Sequence, residues 1–212
     1  SRSHGFEAHA ASALTVWRRR WGMRERRFPR NLPGALLDAE MRRQCWLVVR
    51  HADGLIVSCQ ADKSFIIQRY GAVEQRVACI PQAAPDAFLQ TPTKPMTPER
   101  LRQLLFIGPP RFWKGPDVLG PAISDLLARH PELSFTWVCG RDERIAAAGY
   151  LATNVRGQVT FSDPMPQPDL LALYDRHGLF IMPSLFEGFG KVFVEAMSRG
   201  LCVVASNTGG MA

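Results

Sequence analysis

From residue 103 onward, apolar and polar positions alternate between two periods. Short runs of continuous apolar residues, "QLLFIG" (103–108), "LSFTWVCG" (133–140), "QVTFSD" (158–163), "LFIMPS" (179–184) and "LCVVAS" (201–206), predict strands. Between them, "GPDVLGPAISDLLARH" (115–130), "QPDLLALYDRHG" (167–178) and "KVFVEAMSRG" (191–200) carry helical spacing, the last closed by a glycine. Strands and helices in strict alternation, with strands apolar throughout, predict a parallel sheet covered on both faces. Ligands of such sheets bind beyond the carboxyl ends of the strands.

The first hundred residues are less regular. "LLDAEMRRQCWLVVRHA" (36–52) places Leu37, Met41, Cys45 and Val49 on one helical stripe. "GLIVSC" (54–59) and "RVACIP" (76–81) predict buried strands, and "QADKSFIIQRYG" (60–71) a helix closed by Gly71. Four prolines and three threonines in "APDAFLQTPTKPMTPER" (84–100) mark a linker or hinge. The expected organisation is one piece over 1–88, a hinge over 89–100 and a second piece over 101–212.

Composition adds bounds. The 212 residues are 46% hydrophobic and 21% charged, a globular balance. No run approaches the ~18 apolar residues of a membrane span, and no signal peptide is visible. Five cysteines lie far apart with no metal-ligand spacing. They are expected to be buried free thiols in a cytoplasmic protein. The absence of an initiator methionine and the stop after "NTGGMA" suggest a fragment. The net charge of +7 lies in residues 1–100, mostly in the seven arginines of "RRRWGMRERRFPR" (18–30). Such a patch suits nucleic acid, an anionic membrane or an acidic substrate, as well as plain solvation.

The chemistry concentrates in "PSLFEGFGKVFVEAMSRG" (183–200). The glycine turn follows a predicted strand and opens a helix, whose first N–H groups and positive dipole end suit phosphate. Gly188 and Gly190 permit close backbone approach. Glu187 and Glu195, seven residues between them, suit sugar and ribose hydroxyls, because a carboxylate accepts from two neighbouring hydroxyls at once. Helical spacing separates them by about 12 Å. Glycosidase carboxylate pairs sit roughly 5–9.5 Å apart, which disfavours hydrolysis. Arg111 and Lys114, in "GPPRFWKG", would supply the cations for a diphosphate.

These stretches, together with "VVASNTGG", resemble the donor domain of retaining GT-B glycosyltransferases of the family 4 type. The resemblance implies two Rossmann-like parallel-sheet domains facing a cleft, both truncated here. It implies that Glu195 holds the ribose of a nucleoside-diphosphate sugar and Glu187 contacts the transferred hexose. It also implies that backbone amides of Gly188, Phe189, Gly190, Lys191, Val192 and Phe193 meet sugar and phosphate. Lys114 matches the family's lysine. The family's arginine directly follows the strand's glycine, whereas here Pro109 does and the arginine is Arg111. Residues 1–88 resemble the second half of the acceptor domain, and "SHGFE" makes His4 a candidate near the donor sugar.

The implied reaction is hexose transfer from a nucleotide sugar to an acceptor hydroxyl with retention, by front-face attack guided by the leaving phosphate. No D-x-D motif occurs, so no metal and no permanently bound cofactor are expected. The fragment alone is expected to be inactive. Partners would be the nucleotide sugar, an acceptor saccharide or lipid-linked saccharide, and an anionic membrane surface met by Arg18, Arg19 and Arg20; no nucleic acid is expected. The alternatives are another GT-B enzyme, an epimerase or phosphorylase, and a nucleic-acid binder using the arginine run.

Overall fold

The computed structural model describes residues 6–23 and 32–212. By contacts the chain divides into two units. One comprises the described residues up to Gln82 with Leu185–Gly190 and Asn207–Ala212; the other comprises Ala83–Ser184 and Lys191–Ser206.

In the first unit, α1 (Glu7–Arg20) and α2 (Leu32–His51) precede a parallel pair, β1 (Leu55–Val57) and β2 (Val77–Cys79), joined through α3 (Gln60–Tyr70). The αL conformation of Gly71 (φ 67°) ends α3, as the sequence predicts. A small core of Val49, Ile66 and Val77 holds these elements together. Most of α2 is exposed, Leu36, Leu37 and Trp46 among its residues. The expected Leu37–Met41–Cys45–Val49 stripe is therefore buried only at its end, at Val49.

The second unit holds a parallel sheet in the order β5-β4-β3-β6-β7. Its strands are β3 (Gln103–Ile107), β4 (Ser134–Val138), β5 (Val159–Ser162), β6 (Leu179–Met182) and β7 (Cys202–Ala205). The helices are α6 (Pro116–Arg129), α7 (Arg144–Gly149), α8 (Gln167–Tyr174) and α9 (Lys191–Ser198). The main core joins Leu104, Phe106, Phe135 and Trp137 of the sheet to Leu119, Ile123 and Leu127 of α6.

Two expectations change. The cysteines are all free, but only Cys59 and Cys139 are buried. Cys202 is exposed because β7 pairs with β6 alone and stands at the sheet's edge. The proline-rich stretch 84–100 holds two short helices, α4 (Asp86–Gln90) and α5 (Pro98–Leu101), and is bonded into the second unit.

Two buried arginines make that attachment. Arg199 follows α9 and is 0% exposed. It grips Asp175 with two 2.9 Å hydrogen bonds and donates to the carbonyls of Phe88, Thr91 and Pro92. Arg100 donates to the carbonyls of Lys94, Pro95 and His177. Proline-rich backbone has few N–H donors but many carbonyls, and a guanidinium offers five donors to match them.

His177 is buried too. One ring nitrogen, Nδ1, donates to the Leu173 carbonyl at 2.7 Å, and Nε2 accepts from the Thr136 hydroxyl at 2.9 Å. Burial pushes its pKa down.

Removing one partner of a buried ion pair leaves the other charge stranded. Arg199→Ala should therefore destabilise the second unit by about 3–5 kcal/mol in urea unfolding. An exposed control, Arg129→Ala, should change stability by less than about 0.5 kcal/mol.

Candidate functional site

In the second unit, β6 runs out through Pro183 and Ser184, and the chain re-enters it at Lys191 with α9. Gly190 stands before that helix at φ 79°, a backbone open to glycine at little strain. One turn into the helix lies Glu195, 8% exposed. The Tyr174 hydroxyl, on α8, donates to Glu195 Oε2 at 3.1 Å. Burial pushes the Glu195 carboxyl above the usual range, while the Tyr174 hydrogen bond and the Lys191 charge pull it back down. A carboxylate sits here one turn into a helix, in a largely dry setting that strengthens its hydrogen bonds.

The neighbouring strand β3 supplies the cationic loop of the same unit. A 3₁₀ turn, Phe112–Lys114, follows Gly108, and its last residue is the predicted Lys114, half-buried. Gly115 takes φ 67°, and a Cβ there would collide with the carbonyl of Pro183. That contact seats the β3 loop against the end of β6. Arg111 is exposed and pairs with Glu143 at 3.1 Å.

The turn Leu185–Gly190 belongs to the first unit. Phe186, Glu187 and Gly188 are buried. The chain's last segment packs against this turn. Gly210 N–H donates to the Glu187 carbonyl at 2.8 Å, and the Thr208 hydroxyl to Leu185 O at 3.2 Å. A Cβ on Gly209 would meet the Glu187 carbonyl, and one on Gly210 the Gly188 carbonyl. The glycine pair is what lets two backbones lie this close.

Phe186 touches a histidine. The His9 ring meets it edge-on at 4.8 Å and stacks on Phe65 at 4.4 Å. Its Nδ1 lies 2.6 Å from the buried carboxylate of Asp62, which also accepts from Phe6 N–H. The sequence pointed instead to His4, which lies outside the described residues. His9, Asp62 and Tyr174 carried no sequence signal, since each acquires its partner from a distant part of the chain.

The parallel sheets share the GT-B fold of solved structures. The HepE structure from Anabaena, in complex with UDP and glucose, superposes with a TM-score of 0.63 at 23% identity over 80% of this chain and 48% of that one. A glycosyltransferase from Rickettsia africae gives 0.64 at 15% identity, over 99% of this chain and 65% of that one. D-inositol 3-phosphate glycosyltransferase of Corynebacterium efficiens is 31% identical over 192 residues, 82% of this chain and 45% of that protein. Residues 90–212 match the family described as "Glycosyl transferases group 1", and the chain belongs to that family. It spans about half the length of the curated relatives it matches.

Gly209→Ala should strain a positive-φ position and force the last segment off the Glu187 turn, lowering stability by about 1–3 kcal/mol. Gly157→Ala, with open space at its Cβ, should change stability by less than about 1 kcal/mol. Chemical denaturation of the two variants makes the comparison.

Proposed function

We propose that the whole protein transfers a hexose from a nucleoside-diphosphate sugar to an acceptor hydroxyl, with retention and without a metal. Residues 1–88 would contribute to the acceptor side and 101–212 to the donor side, with 89–100 between them. The observation that carries the reading is Glu195, a buried carboxylate one turn into the helix after β6 and hydrogen-bonded by Tyr174. Its charge suits a ribose diol. Glu187 faces the transferred sugar, and the amides of 188–193 meet sugar and diphosphate. Lys114, with Arg111 beside it, offsets leaving-group charge together with the helix N-terminus. The family membership supports glycosyl transfer, and the HepE complex, which contains UDP and glucose, makes uridine nucleotides the first donors to try.

A thermal-shift screen of the full-length protein against UDP, GDP, ADP and their sugars tests the donor reading. Stabilisation by none of them removes it. Glu195→Ala should weaken donor binding by about 1.5–3 kcal/mol, the worth of charge-assisted hydrogen bonds. Glu187→Ala and Lys114→Ala should cut turnover more than nucleoside-diphosphate affinity. Normal binding and turnover in all three variants would reject the assignment.

A cytoplasmic protein resting on the inner membrane face is part of the same reading. Arg18, Arg19 and Arg20 are exposed in the last turn of α1, and Trp17 meets Trp21 with ring centroids 6.1 Å apart. Tryptophan favours the headgroup interface, and each arginine near an anionic leaflet adds about 1 kcal/mol. The full-length protein should bind anionic vesicles, spare neutral ones and release in high salt. Replacing the three arginines by glutamine should weaken that binding and leave donor affinity unchanged. Equal binding to both vesicle types, or to neither, would indicate a soluble acceptor.

A further inference from the structure

Tyr174 has no solvent exposure, yet it ends in a polar atom. Its ring is held between Phe88, edge-on at 5.7 Å, and Phe180 at 6.1 Å. Nothing in the packing of a ring at this place calls for a hydroxyl, since phenylalanine would fill the same volume. The hydroxyl lies 3.1 Å from Glu195 Oε2 and 3.1 Å from the Val192 carbonyl. A phenol has one proton to give. Val192 O lies in a helix, where carbonyls accept from the N–H four residues on. The carboxylate is the stronger acceptor, because its bond is charge-assisted.

We propose that Tyr174 is a positioning residue for the nucleotide site: by donating to Oε2 it fixes the Glu195 rotamer and leaves Oε1 and the second lone pair of Oε2 for the ligand diol. This rests on the reading that Glu195 holds the ribose. A carboxylate oxygen has two acceptor sites, so one bond to Tyr174 does not exhaust Oε2. No described residue bonds Oε1. The direction of the tyrosine's action follows from burial. A dry carboxyl tends to take up a proton, and a protonated carboxyl would offer the ribose a weaker acceptor. Tyr174 stabilises the ionised form, as does Lys191 on α9. Among the described residues these are the titratable groups that bear on Glu195.

The sign follows. Diol binding needs ionised Glu195, so it is present above that group's pKa and fades as pH falls through it. Without the tyrosine hydroxyl the pKa rises, and the fading begins at higher pH. In the full-length protein, UDP affinity measured by calorimetry from pH 5 to 9 should show an acid limb. In Tyr174→Phe that limb should lie about one pH unit higher, with affinity recovering towards the wild-type value at high pH. UDP's own phosphate titrates alike in every variant and cancels. Glu195→Gln should bind UDP more weakly than the wild type at high pH, converge with it at low pH, and keep only the part of the limb that UDP's own phosphate causes.

If Glu195→Gln binds like the wild type, the ribose reading fails and takes this proposal with it. If Glu195→Gln is weak but Tyr174→Phe loses affinity equally at all pH values, or not at all, the positioning proposal alone fails. Should Tyr174→Phe not fold, a fluorotyrosine at position 174 keeps the ring and strengthens the donor. Its limb should move to lower pH, and an unmoved limb overturns the proposal.

Discussion

A fully buried guanidinium must have every donor answered, because an unpaired charge away from water is among the costliest features a fold can hold. Arg199 meets that constraint with one carboxylate and three linker carbonyls. Those partners come from 88–92 and from the end of α8, and Arg199 itself follows the end of α9, so satisfying one side chain determines how three segments lie. The linker is held because its carbonyls are needed. A hydrophobic contact of the same area would have left the three segments free to slide, while directional hydrogen bonds do not.

The same place organises the helix that carries Glu195. Tyr174 and Asp175 are consecutive at the end of α8, and Glu195 and Arg199 lie one turn apart along α9 and its extension. Tyr174 bonds the first and Asp175 the second. Phe88 packs on the Tyr174 ring and gives its carbonyl to Arg199. A structural ion pair and a polar contact of the proposed site thus share one packed junction. Disturbance of the linker therefore reaches the carboxylate through two adjacent residues.

Much of this was legible in the order of residues. Apolar runs of four to six, separated by helical periods, required a parallel sheet, because strands buried on both faces have no polar side to show. The turn "FEGFG" between a strand and a helix identified itself, since glycines at fixed spacing beside a carboxylate have few other uses. The resemblance to the glycosyltransferase donor domain rested on these stretches, and the family match over residues 90–212 agrees with it. Burial was less legible. Apolar surroundings suggested that every cysteine lies inside, but Cys202 sits on an edge strand and α2 lies largely open.

What the sequence by itself determined were features written within eight or ten residues: the period of each element, the glycine closing α3, the glycine turn and the spacing of its glutamates. Only the tertiary structure decided which residues act on those features. Tyr174 reaches Glu195 across 21 positions, Asp62 reaches His9 across 53, and Arg199 reaches Phe88 across 111. No local pattern encodes such pairs, because a side chain's partner depends on where distant segments are brought by packing. A proline-rich stretch reads as a loose linker until a buried arginine elsewhere claims its carbonyls.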